Sequence, residues 1–317
     1  MDGDTALGHD ILEKSLPIFR LQPNVGGVTT NNHALVSNNC AEIIRDWYNL
    51  KMVKRHHMMS AHAVSNRVLT MTGRFSVFRA AIALSTEFIT NLEEDYVDDW
   101  LHGRIAFLMG DDKSTMSYLL KYNWDCSYVP DTYAICLEDR TGNFFDIANT
   151  LMLRWYGNML RVNGKSICEG LTKMPFFTWV AFIDQRISMW TTLIGPVTAV
   201  LMSVCVSGYY LIFYALWVIL TRWGQLVVTC GFHGHTLKIT DLPLQVFEQW
   251  YGALVKIYCQ FHLHKQLWQK SRAEAQVIST GEKLGDIIAK CLMGFYFALF
   301  ALFILFCTKL VKLPGLF

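Results

Sequence analysis

Hydrophobic and polar positions divide the chain into two parts of different grain. Up to about residue 165, apolar residues come in short runs broken by charges and turn formers. Val25-Gly26-Gly27-Val28-Thr29-Thr30 and Arg67-Val68-Leu69-Thr70-Met71 read as strands and 41–59 as a helix, an alternation that predicts an α/β layer structure. Acidic residues concentrate here, at Glu93-Glu94-Asp95 and Asp98-Asp99.

From about residue 174 the runs lengthen. Residues 187–206, ISMWTTLIGPVTAVLMSVCV, carry no charge. At about 1.5 Å per residue, a helix of that length crosses a bilayer. A second run, 208–221, ends at Arg222-Trp223 and is expected to continue to Cys230, the arginine reaching toward the headgroups. Ser207-Gly208 leaves room only for a tight turn between these two spans. The third span is 288–308, free of acidic residues and followed by Lys309 and Lys312. Residues 174–185 and 243–263 mix apolar positions with polar ones, Glu248, Gln249 and Lys256 among them, and read as helices lying in the interface. The expected organisation is therefore a partial α/β domain over 1–165, an amphipathic interface segment over 166–186 and an all-α membrane domain over 187–317. Trp179, Trp190, Trp217 and Trp223 fall where aromatic belts are expected. Arg154, Arg161, Lys165, Lys173 and Arg186 precede the first span while the turn at 207–208 is uncharged, which puts the α/β half in the cytoplasm.

Composition agrees with a membrane-bound chain: 52% of its 317 residues are hydrophobic and 14% aromatic. A net charge of +2 without a basic stripe excludes a nucleic-acid binder. The nine cysteines are scattered and form no CxxC pair, so their spacing implies neither a zinc site nor a disulfide framework.

Four short patterns carry candidate chemistry. Asp2-Gly3-Asp4 is a DxD, two carboxylates able to hold a divalent cation against a diphosphate; a solvated acidic terminus reads the same way. Gly110-Asp111-Asp112-Lys113 follows the apolar run Ile105–Met109, as a strand delivering carboxylates to its C-terminal end would. One of the pair would then be a general base for an acceptor hydroxyl; alternatively either aspartate caps a helix over 114–121. Thr72-Gly73-Arg74 opens an alternating run ending at Arg79, a phosphate or sugar site or else a hairpin with exposed arginines. Arg154-Trp155 pairs a diphosphate clamp with a flat face for a sugar ring, though such a pair also anchors helices at membrane surfaces.

The order of these patterns (DxD, Gly-Arg turn, GDD, Arg-Trp, interfacial helix, spans) resembles the processive family 2 glycosyltransferases that make cellulose, chitin, hyaluronan and alginate. The resemblance is strongest to the polymerase subunit of bacterial alginate synthases. It is carried by DGDT at 2–5, PNVGGVTTN at 23–31, NRVLTMTGR at 66–74, SVFRA at 76–80, FLMGDDKS at 107–114, YVPD at 128–131, LMLRWYGNMLR at 151–161, DQRISMWT at 184–191 and YGALVKIY at 251–258.

The resemblance implies a GT-A-type glycosyltransferase domain, here its C-terminal part, followed by membrane helices. It implies that Asp2 and Asp4 bind Mg2+ or Mn2+ and nucleotide, that Asp112 is the catalytic base with Asp111 supporting it, and that Arg154 and Trp155 hold the donor diphosphate and the acceptor end. Arg74 would join the nucleotide-sugar site, and Trp268 would sit on a gating loop beside basic residues. The implied donor is GDP-mannuronate, the product a β-1,4 polymannuronate, and the setting a bacterial inner membrane with a partner that senses cyclic di-GMP. For an acidic sugar, His56, His57, Arg74 and Arg79 are candidate cations, with surface roles as the alternative. Position 151 is Leu where cellulose- and chitin-type enzymes have Gln. The family's first membrane helices and first nucleotide-binding strands would precede Met1, so the chain is expected to be the later portion of such an enzyme.

Overall fold

Valine and threonine in Val25–Val36 favour an extended strand, and the glycines within it let a helix press against the sheet. In the computed structural model, which describes residues 3–106, 111–265 and 280–308, the α/β half begins with a short strand β1 (Thr5–Leu7), two short helices, α1 (Ile11–Ser15) and α2 (Ile18–Leu21), and then β2 (Val25–Val36). Helix α3 (Glu42–Ala63) follows, then β3 (Ser76–Phe78), the short helices α4 (Ala80–Ala83) and α5 (Thr86–Glu93), and a hairpin of β4 (Tyr96–Asp99) and β5 (Gly103–Ala106). Helix α6 (Asp111–Lys121) leads into β6 (Asp125–Glu138).

The main sheet has the order β1-β6-β2-β3. Strands β2 and β6 run parallel, so their carboxyl ends, Val36 and Glu138, meet in register; β1 and β3 flank them antiparallel. Two irregularities shape this pair. A Cβ on Gly26 would lie 2.8 Å from both Leu119 and Trp124, so the bulge between Val25 and Gly27 needs glycine for α6 to pack. On β6, Pro130-Asp131-Thr132 are skipped in the ladder between Val129 and Tyr133, which places a proline where no ladder donor is required.

One sequence expectation fails here. Arg67–Met71 contributes only an isolated bridge, Arg67 to Cys126. Its backbone is satisfied from α6 instead: Met71 N–H donates to the Asp112 carbonyl and Lys113 Nζ to the Leu69 carbonyl. Local β propensity loses to these longer-range partners.

The remaining helices are α7 (Phe144–Glu169), capped by the Asn143 side chain and stopped at Gly170 with φ +73°, then α8 (Phe176–Cys205), α9 (Tyr209–Phe232), α10 (Asp241–Phe261) and α11 (Thr280–Cys307). Helix α8 continues unbroken from the stretch read as interfacial through the first span. Among the described residues, three helices are long and apolar enough to cross a membrane: Phe176–Cys205, Tyr209–Phe232 and Leu284–Cys307. The turn at Ser207-Gly208 sets α8 against α9, and Gly195 allows close approach, since a Cβ there would lie 2.6 Å from Tyr214 Oη. Of the tryptophans expected at belts, Trp217 and Trp223 face outward, whereas Trp190 packs on Tyr296, Phe297 and Phe300 of α11 and Trp179 donates to the Ile167 carbonyl.

Trp47 and Tyr48 of α3, Leu151 and Met152 of α7, Leu226 of α9 and Val255 of α10 share one hydrophobic core. The sheet-bearing half and the long helices are thus packed around common side chains, and a cavity lies along their junction.

Candidate active site

The cavity has a volume of about 1160 Å³. Its wall gathers Asp4, Arg74, Asp112, Arg154 and Trp155, residues from four separate segments of the chain. Asp2 and Trp268 lie outside the described residues. Asp111 is the first residue of α6, and its side chain is likewise outside the description.

The acidic pair stands at the first turn of α6, where carboxylates complement the helix dipole. This is the helix-start reading of GDD; most of the run read as a strand before it, 107–110, lies outside the described residues. Thr70 Oγ1 donates to Asp112 Oδ2 at 3.4 Å. Two cations flank this carboxylate: burial pulls the Lys113 ammonium down to about 8 and the Arg55 guanidinium down to about 10, while Asp112 opposes both shifts.

Glu138, at the carboxyl end of β6, organises the arginines. Its Oε2 accepts from Arg140 Nε at 3.0 Å and from Tyr48 Oη at 3.2 Å, and its Oε1 from Arg74 Nη2 at 3.4 Å. Arg154 stands in the same field: burial lowers its pKa, Arg140 and Arg74 lower it further, and Glu138 and Tyr48 raise it. Three guanidiniums and one largely buried carboxylate leave net positive charge, a setting for a diphosphate. Asp4 lines the same wall, exposed, with no side-chain bond among the described residues.

Trp155, next to Arg154 on α7, is stacked on Trp47 with centroids 5.9 Å apart and meets Tyr48 edge-on. Beyond it the cavity continues between the long helices, past Ser188 and Thr192 of α8, Thr229 of α9 and Glu248 and Lys256 of α10. Lys51 and Lys54 of α3 both pair with Glu248 at 2.7 Å. Burial pushes the Glu248 carboxyl up, and the two lysines outweigh it and hold it below the ordinary carboxylate range. Lys256 stands 4.9 Å from the Tyr156 ring and has no carboxylate within ion-pair distance among the described residues.

Of the cations proposed for an acidic sugar, Arg74 and His57 line the cavity. Arg79 does not: it binds the carbonyls of Phe19, Pro23 and Val25 and pins the approach to β2. His56 bonds Tyr128 Oη at 2.6 Å. Glu138, Arg140, Arg55, Lys51 and Lys54 were not reached from the sequence. The charged tail Glu138-Asp139-Arg140 after a long β run was the available signal for the first two.

A family model described as glycosyltransferase like family 2 matches residues 1–158. The glycosyltransferase alg8 of Pseudomonas syringae pv. tomato is 38% identical over 271 residues, covering 85% of this chain and 54% of that protein. The glycosyltransferase alg8 of Azotobacter vinelandii is 36% identical over 272 residues, with the same coverage of 85% and 54%. The chain spans about half the length of the curated relatives it matches.

Proposed function

The chain belongs to the family 2 glycosyltransferases, and on that premise we propose that it is the acceptor-binding and membrane portion of a processive, inverting polymerase of an acidic sugar. The donor in this reading is GDP-mannuronate and the product an alginate-type polymannuronate.

Asp112 takes the proton from the acceptor 4-hydroxyl, which attacks the anomeric carbon of the donor as the nucleoside diphosphate leaves from the opposite face. Arg74, Arg140 and Arg154, held around Glu138, neutralise the departing diphosphate. Trp155 supports the terminal sugar. Asp4 suits a hard divalent cation, being a carboxylate on the cavity wall without a competing side-chain bond among the described residues. When bound, that ion adds positive charge at the diphosphate. Asp2 would be its second ligand and Trp268 part of a closing loop.

After each addition the chain moves into the cavity between α8, α9 and α10. The observation that carries the acidic-sugar reading is Lys256, a half-buried cation on this path without a carboxylate partner among the described residues. A polyanion supplies that partner at each step; a neutral polymer leaves the ammonium partly desolvated and unpaired. The sheet-bearing half is cytoplasmic in this account, the helices lie in a bacterial inner membrane, and a cyclic di-GMP-sensing protein there is the partner.

The test is incorporation of labelled sugar into polymer by membranes containing the whole protein, supplied with magnesium, cyclic di-GMP and partner subunits. Incorporation from GDP-mannuronate and not from UDP-glucose or UDP-N-acetylglucosamine supports the reading. Incorporation from a UDP-sugar moves the chain to the cellulose or chitin side, and none from any donor leaves a scaffold role.

A further inference from the structure

Away from the cavity wall, the loop 233–240 joins α9 to α10, and it gathers three side chains of a kind that the transfer reaction does not use. Cys230 lies in the last turn of α9, His235 in the loop and Asp241 at the first position of α10. Gly234, with φ +64°, turns the chain back so that His235 N–H donates to the Cys230 carbonyl at 3.0 Å. Their ligand atoms (Sγ, a ring nitrogen and a carboxylate oxygen) all lie within 4.8 Å of one another.

The hydrogen bonding of this group is incomplete in a telling way. Asp241 is fully buried; its Oδ2 accepts from Lys238 N–H at 2.8 Å, while its Oδ1 has no partner. His235 Nε2 is buried and also has none, standing 3.6 Å from Asp241 Oδ2. Cys230 is fully buried beside them. A buried carboxylate oxygen and a buried imidazole nitrogen, each without a hydrogen bond, are unfavourable unless a further group satisfies them.

We propose that Cys230, His235 and Asp241 bind a zinc-class divalent ion, with water completing a tetrahedral set. A thiolate and a carboxylate together cancel the charge of such an ion, and binding releases the thiol proton to solvent. Mixed sulfur, nitrogen and oxygen donors suit zinc, whereas magnesium demands oxygen alone. Zinc–ligand bonds of about 2.0–2.3 Å put ligand atoms roughly 3.3–3.8 Å apart, so the group closes by a modest contraction. The Lys238 N–H already orients the carboxylate, as an outer hydrogen bond does in metal sites.

Such an ion ties the end of a membrane span to the start of α10. Lys238 and Thr240, from the same loop, both bind Asp46 on α3, so the clasp also fixes the long helices to the sheet-bearing half. This assignment is independent of which sugar is polymerised.

The whole protein, purified in detergent, is analysed for bound metal, then stripped with a chelator and titrated with cobalt(II). The expected result is stoichiometric zinc in the purified protein and a thiolate-to-cobalt charge-transfer band on titration. C230S should lose the band, D241N should weaken cobalt binding at least about tenfold, and the chelator should lower the Tm of the wild type but not of C230S. The band separates this site from cobalt held by the oxygen ligands of the sugar-nucleotide site. Wild-type protein that carries no zinc and gives no thiolate band overturns the proposal, whatever the variants do, and leaves His235 and Asp241 as a plain ion pair.

Discussion

Lys51 holds Trp155 and Glu248 together: its ammonium lies 4.6 Å from the Trp155 ring centroid and 2.7 Å from Glu248 Oε1. One side chain of α3 thereby fixes Trp155 of α7 against the polar face of α10. K51M should leave the buried Glu248 with Lys54 alone and cost about 1–3 kcal/mol, read as a lower Tm in detergent. The K51M/E248M pair should lose less than the sum of the two single changes. Strict additivity would mean that the bridge couples nothing.

Glu138 holds two of the arginines proposed for the donor diphosphate, Arg74 and Arg140. In E138Q the charge that orients Arg74 and Arg140 is gone, while Tyr48 keeps a partner. We expect the donor KM to rise about tenfold, about 1.4 kcal/mol, with kcat changed less than about twofold. Loss of kcat at constant KM would place Glu138 in the chemical step instead.

Much of this arrangement was legible in the sequence, and the reason differs by element. Long apolar runs announced the three span-length helices among the described residues, because such a run is written residue by residue in the sequence. The Val25–Thr30 run became the start of β2, and Asp4, Arg74, Asp112, Arg154 and Trp155, each singled out by a short pattern, line one cavity. Pairings between distant segments left no such trace. Lys51 and Glu248 are 197 positions apart, and neither has a local pattern that names the other. The Arg67–Met71 run misled for the same reason, since the backbone of α6 satisfies it from 40-odd residues away, as in the Met71–Asp112 bond. Trp190 looked like a belt residue until α11, about a hundred positions later, supplied aromatic neighbours.

Lys256 should matter to the polymer more than to the first transfer. In K256Q we expect shorter chains from the acidic donor, with an initial rate of nucleotide release close to wild type. Size-exclusion profiles of the labelled product read this directly. Unchanged chain length would remove Lys256 from the path.

Acid should loosen the protein through His56. Burial, with His233, His33, Arg55 and His57 nearby, pulls its imidazole from 6.5 down to about 4. Between those values the unfolded chain binds a proton that the folded one refuses, so stability falls as pH drops from 6.5 toward 4. H56Q should make that loss shallower in thermal melts taken across the interval. A variant as acid-sensitive as wild type would assign the effect to other groups.

The most direct test of the cavity as the site of polymerisation is labelled-sugar incorporation by membranes carrying D112N against wild type at matched protein levels. The account predicts incorporation from GDP-mannuronate at least about 100-fold lower in D112N, with the variant inserted in the membrane as efficiently as wild type. Polymer made by D112N at the wild-type rate would contradict it.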